Sequence, residues 1–130
     1  MPSPRDLAAA EAVLAQQSGV LFAALADCDL LLCATLPLLA PAIGADQVSI
    51  DGHTMHVERA LTRLTSMADV TGLPALSLPV AGGRRPPLPV TPSADGELPA
   101  GVQLVGRPRD EMTVLRAGYA LEAALREDGR

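Results

Sequence analysis

The stretch Leu98-Pro-Ala-Gly-Val-Gln-Leu-Val-Gly-Arg-Pro-Arg-Asp-Glu111 carries a strand, its stop and the start of a helix in quick succession. Gly101-Val-Gln-Leu-Val-Gly106 is a short apolar run bounded by glycines, the pattern of a buried strand. After it, Asp110 is well placed as an N-cap, and Glu111 sets negative charge at the positive end of a helix. Val114, Gly118, Leu121 and Leu125 form that helix's apolar stripe. Glycine inside a helix costs stability unless a neighbour needs the space, so Gly118 predicts a close approach. The charged tail Arg126-Glu-Asp-Gly-Arg130 is expected to fray.

Upstream, Ala75-Leu-Ser-Leu-Pro-Val80 reads as a second strand, with Pro79 near its end where a missing ladder donor is tolerable. Residues 81–99, rich in Gly and Pro, read as a long irregular loop joining the two strands. Val57, Leu61, Leu64 and Ala68 repeat at helical spacing and predict one helix over 57–69, stopped before Gly72 and Pro74. Asp51-Gly52 is a turn signal over 47–56, consistent with a small hairpin or an irregular excursion. Leu30-Leu-Leu-Cys-Ala34 is a continuous apolar run that suits a strand buried on both faces, and Pro37 and Pro41 turn 35–45 into a loop leaving its carboxyl end. In open α/β sheets ligands sit at that edge, which draws attention to Thr35. Ser3 and Pro4 supply an N-cap and a first helical residue for a helix over 5–26, with Leu7, Ala10, Leu14, Leu21 and Leu25 near one face. Gly19 would mark a kink or a close packing point within it.

These elements make one α/β domain over residues 1–130: an N-terminal helix over 1–27, then strands, loops and a closing helix over 28–130. A chain of this length can remove roughly two-thirds of its unfolded surface from water. Its apolar residues are mostly Ala, Leu and Val, with Phe22 the one Phe, Tyr119 the one Tyr and no Trp, so stability must come from many small contacts. The net charge of −5 and the scattered arginines argue against a nucleic-acid binder, which needs clustered positive charge. Apolar runs such as Asp29-Leu-Leu-Leu-Cys-Ala34 are too short to cross a bilayer, and Met1-Pro-Ser-Pro-Arg-Asp-Leu lacks the basic-then-apolar pattern of a leader. A soluble, cytoplasmic chain without a membrane partner is expected. Cys28 and Cys33 read as small buried thiols, because a strand between them would hold their side chains apart. All ten basic residues are arginine, and the sequence has no lysine.

Three segments in fixed order carry a resemblance: Cys33-Ala-Thr-Leu-Pro37, Asp69-Val-Thr-Gly-Leu-Pro-Ala-Leu-Ser-Leu-Pro79, and Leu98 through Glu111 as quoted above. Together they resemble the C-terminal part of the amidase signature family, most strongly over 69–122. The resemblance implies a large α/β/α fold around a mixed sheet, of which this region supplies about three core strands with three helices. It also implies hydrolysis of carbon–nitrogen bonds in small amides, without a metal or organic cofactor. The family performs this with a nucleophilic Ser, a cis-peptide Ser and a Lys, all upstream of the region matched. A serine hydroxyl attacks an amide only when a base takes its proton, and arginine cannot serve because it keeps its own. The chain is therefore expected to be the C-terminal portion of an amidase-like hydrolase, with no catalytic residue of its own. It would provide scaffold and pocket walls, with Thr35, Pro37, Thr71, Gly72 and Leu73 as the substrate-binding candidates. The expected partners are a small amide in the full-length context and either the missing N-terminal catalytic part or a second copy of the chain. The alternative is a non-catalytic α/β module that self-associates or pairs with another polypeptide.

Departures from the family pattern matter locally. Asp69 stands where the family has Asn, exchanging an amide for a group that only accepts when ionised. Ala34 replaces the first Pro of a Pro-Thr turn, and Thr62 lies where glutamine-using members have an acidic residue, which disfavours that branch. Other motifs have plain readings. His53 and His56 would suit a metal only if further ligands converged, and solvated imidazoles are favoured. Gly82-Gly83-Arg84-Arg85 lacks the lysine and helix opening of a phosphate loop and reads as a surface turn. Ser66 and Ser77 read as packing or backbone-capping groups. Gln103 reads as a satisfied structural amide ahead of a ligand contact, and Arg107 with Asp110 as an ion pair fixing the last helix.

Overall fold

Ser3 and Asp6 lock the first turn of the chain. The Ser3 hydroxyl donates to Asp6 Oδ2 at 2.7 Å, the Ser3 N–H donates to the same oxygen at 3.0 Å, and the Asp6 N–H donates back to Ser3 Oγ at 3.2 Å. This capping box, with Pro4 at the first helical position, starts α1 (Pro4–Ala26). In the computed structural model, which describes residues 1–80 and 100–128, there follow β1 (Leu30–Ala34), β2 (Gln47–Ile50), β3 (His53–His56), α2 (Val57–Thr62), α3 (Ser66–Thr71), β4 (Ala75–Val80), β5 (Ala100–Gly106) and α4 (Glu111–Asp128). The long connection expected over 81–99 lies outside the described residues.

The main sheet has the order β1-β5-β4, and β5 is antiparallel to both neighbours. β1 and β4 therefore run in the same direction on either side of it. Side chains alternate across the sheet, so the register separates two faces. On one face Leu76 and Leu78 lie against α4, where a Cβ on Gly118 would collide with the Leu76 side chain. The close approach expected at Gly118 is present, and Val114 and Gly118 are buried while Leu121 and Leu125 are half-buried. On the other face Val105 joins Leu21, Leu25 and Leu73 in the core, with Cys28, Leu31 and Met67 packed around them. Neither ring takes part: Phe22 is 44% exposed and Tyr119 78%. The core is aliphatic, as composition demanded.

β1 corrects an expectation. Its sequence suits burial on both faces, yet among the described residues it is an edge strand with Leu32 62% exposed. The central place belongs to β5, where Gln103, Leu104, Val105 and Gly106 are buried in succession. A short apolar run looks alike in a central strand and at an edge, because periodicity reports faces and not neighbours.

The helix expected over 57–69 is two helices, which raises the helix count among the described residues from three to four. Thr62 Oγ1 donates to the Glu58 carbonyl at 3.0 Å and Thr65 Oγ1 to the Thr62 carbonyl at 3.5 Å, contacts that compete with helix propagation. At the break the Leu64 carbonyl turns to the sheet and accepts from Gln103 Nε2 at 3.0 Å. Gln103 is 3% exposed, and Nε2 also lies 3.4 Å from the Ala34 carbonyl. One amide thus ties the end of β1 to the helix break, as a structural amide should. Downstream, α3 ends on Gly72 in the left-handed region at φ 67°, with Pro74 following, as the sequence signalled.

β2 and β3 pair as a separate hairpin across Asp51 and Gly52, both with positive φ, at 51° and 80°. This is the hairpin reading of the Asp-Gly signal. α1 behaves less regularly along its length. Leu21 and Leu25 are buried, Leu14 is half-buried, and Leu7 on the same face is 56% exposed. Among the described residues nothing approaches within 4 Å of where a Gly19 Cβ would stand, so the close packing point is not seen there, and α1 runs unbroken through Gly19. At 23 residues α1 is long and apolar enough to cross a membrane by length and composition alone. Its apolar residues are spaced among Gln, Ser and Gly, which is why a search for short unbroken runs passes over it.

Three outcomes test this account. Gly118→Leu should lower stability by about 1–3 kcal/mol through overpacking against Leu76, read from the urea midpoint. Gln103→Leu should cost about 1–3 kcal/mol by leaving the Ala34 and Leu64 carbonyls without their donor, with faster amide exchange in α2 and α3. The Asp6 carboxyl is held below its ordinary value by the bonds from the Ser3 hydroxyl and N–H. Its stabilisation is present above the unfolded value and lost as pH falls through the lowered one. In Ser3→Ala the Asp6 titration followed by NMR should move up toward the ordinary value, and the first turn of α1 should fray at neutral pH.

Candidate functional site

Strand direction decides what can meet. Because β1 and β4 are parallel and β5 runs the other way, the exits of β1 and β4 and the entry of β5 lie at one end of the sheet. Thr35 leaves β1 at that end, and its N–H donates to the Gly101 carbonyl at 2.9 Å. Its hydroxyl lies 2.7 Å from the hydroxyl of Ser77, which reaches over from β4. Gly101 makes this possible: a Cβ there would come within 2.9 Å of Thr35 Oγ1 and 3.5 Å of Ser77 Oγ. Thr35 and Pro37 are half-buried, and Ser77 is exposed.

The remaining candidates lie elsewhere. Thr71, Gly72 and Leu73 precede β4 at the opposite end, where the Pro74 carbonyl accepts from the Gly106 N–H at 2.9 Å. Strand rise places them roughly 15–20 Å from the level of Thr35. The Thr71 hydroxyl is spent on its own helix, donating to the Met67 carbonyl at 2.6 Å and approaching that of Ala68 at 3.3 Å. Gly72 is an exposed helix cap, and Leu73 is 6% exposed within the core. The structure brings Thr35 together with Ser77 and Gly101, and does not bring it together with Thr71, Gly72 and Leu73.

Ser77 is the residue that sequence reading placed differently. Expected as a packing or backbone-capping group, it bonds a side chain instead. The available signal was the alternation Leu76-Ser77-Leu78, which puts the hydroxyl on the face away from α4. Its partner could be known only once the register was. A nucleophilic hydroxyl needs a base within reach, and Ser77 meets another hydroxyl.

The other polar groups have structural places. Arg107 does not pair with Asp110: its guanidinium donates to the carbonyls of Leu25 and Cys28 at 3.0 and 3.1 Å and lies 3.4 Å from the Asp29 carboxylate. The backbone carbonyls ending α1 outcompete the nearby carboxylate, and arginine's fork fits several acceptors together. Asp110 instead accepts from the Thr113 N–H at 3.4 Å, capping α4 as expected. Cys28 and Cys33 are free and half-buried. His53 and His56 are both exposed, and strand alternation at a separation of three sends them to opposite faces of β3. Among the described residues no group of three or more His, Cys, Asp or Glu gathers as metal ligands would. The Gly82-to-Arg85 turn lies outside the described residues.

Against known proteins, the Amidase family profile matches residues 5–115. Among curated relatives, a subunit of glutamyl-tRNA(Gln) amidotransferase from Rhodospirillum rubrum is 43% identical over 96 residues, covering 74% of this chain and 16% of the relative. AtzE, which is a subunit of 1-carboxybiuret hydrolase from Pseudomonas sp. (strain ADP), is 32% identical over 96 residues, covering 74% and 19%. Among solved structures, a crystal structure of an amidase superposes with a TM-score of 0.76 at 28% identity, over 95% of this chain and 26% of that one. A chain from a vestigial protein complex bearing on the origins of an s-triazine catabolic enzyme gives 0.77 at 27%, over 95% and 25%. These relatives include amidotransferase subunits as well as one from a hydrolase, so they do not follow the distinction drawn from Thr62. This chain spans a fifth or less of the curated relatives and about a quarter of the solved chains. The match over most of its length, with sheet and helices superposing, makes this chain a member of the amidase family, corresponding to part of the larger amidase fold.

Proposed function

We propose that this chain contributes scaffold and substrate-pocket wall to an amidase-family hydrolase of small amides, in the cytoplasm, and that it does not catalyse by itself. The observation that carries the reading is the polar end of the sheet, where Thr35 and Pro37 leave β1 beside Ser77, in a sequence without lysine. Hydroxyls are present there, but the sequence has no lysine to act as the neutral amine base that the family's serine chemistry requires. Thr35 and Pro37 form the wall. Thr71, Gly72 and Leu73 serve it from the far end, by fixing the turn from α3 into β4 and anchoring the sheet in the core.

A second reading has its own support. Leu7, Val13 and Val20 on α1 are each more than half exposed, as is Leu32 on the β1 edge. Apolar surface and open strand edges of this kind invite another chain. In this reading the protein is a non-catalytic module that self-associates or pairs with a polypeptide bearing the serines and lysine.

Purified chain offered a panel of simple aryl and alkyl amides should release no acid or ammonia above the buffer rate. Co-expression with an amidase-family segment carrying the Ser, Ser and Lys should produce turnover that Thr35 and Pro37 variants alter in KM. Steady hydrolysis by the chain alone would overturn the reading. Co-purification that gives a stable, inactive complex would favour the module.

A further inference from the structure

We propose that the open edge of β1 pairs with β1 of a second copy of this chain, antiparallel about a two-fold axis at Leu32, so that the two main sheets join into one. The inference rests on the self-associating reading above, and it names the surface and the register through which two copies meet.

Register and a single bond show which backbone groups are free. The Thr35 N–H donates to the Gly101 carbonyl, and bonded pairs in an antiparallel ladder recur at every second residue. Leu31 with Val105 and Cys33 with Gln103 are therefore the bonded pairs of β1 and β5. The N–H and C=O groups of Leu30, Leu32 and Ala34 point away from the sheet. Among the described residues only the Ala34 carbonyl has another partner, Gln103 Nε2 at 3.4 Å. A row of unpaired backbone groups is a template for another strand.

The two edges of the sheet differ. Gly106 bonds Pro74, so Leu76 and Leu78 bond inward to β5 and the outward groups of β4 belong to Ala75, Ser77 and Pro79. Pro79 has no N–H to offer, and proline in that place blunts an edge. Leu30-Leu-Leu-Cys-Ala34 contains no proline, glycine or charge, and Leu32 is 62% exposed. β1 has the composition of a strand with two neighbours, and among the described residues it has one.

The segment fits a copy of itself. With the axis at Leu32, Leu32 faces Leu32 and Leu30 faces Ala34, each pair exchanging both of its bonds. The next pair outward is Asp29 with Thr35, so no charge meets its like. α1 suits the same axis. Leu21 and Leu25 share a core with Val105 of β5 and Leu31 of β1, which seats the helix over the groove between those strands. At a strand spacing of about 4.8 Å, copies joined at β1 hold their α1 helices about 10 Å apart, the separation at which helices pack. From Ala12 to Ala26 α1 carries no charged residue, and Val13 and Val20, on one flank, are 54% and 67% exposed. Nothing in that stretch repels a second helix laid beside it.

Sedimentation equilibrium and amide hydrogen exchange of the 130-residue chain test this. Across a micromolar concentration series the mass should rise from 13.4 kDa to about twice that. In the dimer the Leu30, Leu32 and Ala34 amides should be protected, while those of Ala75 and Ser77 on the other edge exchange freely. Leu32→Lys sets like charges directly opposite each other and should weaken the dimer roughly tenfold, removing protection at those three amides while spectra stay dispersed. Leu32→Val, which keeps an apolar strand former, should leave both mass and protection in place. A chain that stays monomeric overturns the proposal, and so does a dimer that Leu32→Lys leaves intact. A dimer with unprotected β1 amides overturns it too, yet leaves the self-associating reading standing. Protection of β1 only in a complex with a co-expressed segment bearing the serines and lysine gives the edge to that segment and overturns the pairing of copies.

Discussion

The rest of the structure depends on one buried side-chain amide. Gln103 sits in the middle of β5, the strand paired on both sides, and its nitrogen reaches the carbonyls of Ala34 and Leu64. Those atoms belong to the exit of β1 and to the break between α2 and α3, separated in sequence from Gln103 by much of the domain. A buried donor leaves both partners little freedom, because a carbonyl stripped of water and of its bond loses more than a new contact returns. The position of Thr35, one residue beyond Ala34, follows from this tie. So does the turn of the chain that brings α3 onto the core through Met67 and Leu73.

Local chemistry was legible wherever it acts over a few residues. Ser3 and Pro4 announced a helix start, Asp51-Gly52 a two-residue turn, Gly72 a helix stop and Asp110 a cap, and each stands where the sequence puts it. Gly118 could be read because a glycine within an apolar stripe has few explanations. What escaped depends on pairing between distant segments. Nothing in Leu30-Leu-Leu-Cys-Ala34 says that it forms an edge, because its neighbour is chosen some seventy residues later. Helical periodicity over 57–69 persists through the break, since the two short helices keep their apolar residues inward while the backbone between them serves Gln103. Sequence proximity pairs Arg107 with the carboxylate of Asp110, whereas the carbonyls ending α1 are nearer in space.

The candidate site shows the same division. Thr35 and Pro37 are candidates because they leave a strand's carboxyl end. Thr71, Gly72 and Leu73 came from a motif that folds into a helix cap and a core anchor. Ser77 and Gly101 acquired meaning only in the folded register, where a missing side chain on the central strand lets hydroxyls from its two neighbours touch.

α1 is held at one end. Its last turns are fastened by Leu21, Leu25 and the Arg107 guanidinium, while the turns toward Ser3 extend past the body of the domain. A helix of 23 residues is about 35 Å long at 1.5 Å per residue. Such a rod works as a lever: a tilt of about 5° at its fastened end sweeps the far tip through roughly 3 Å. A small repacking around Leu25 would thereby be magnified into displacement at the amino-terminal turns of α1.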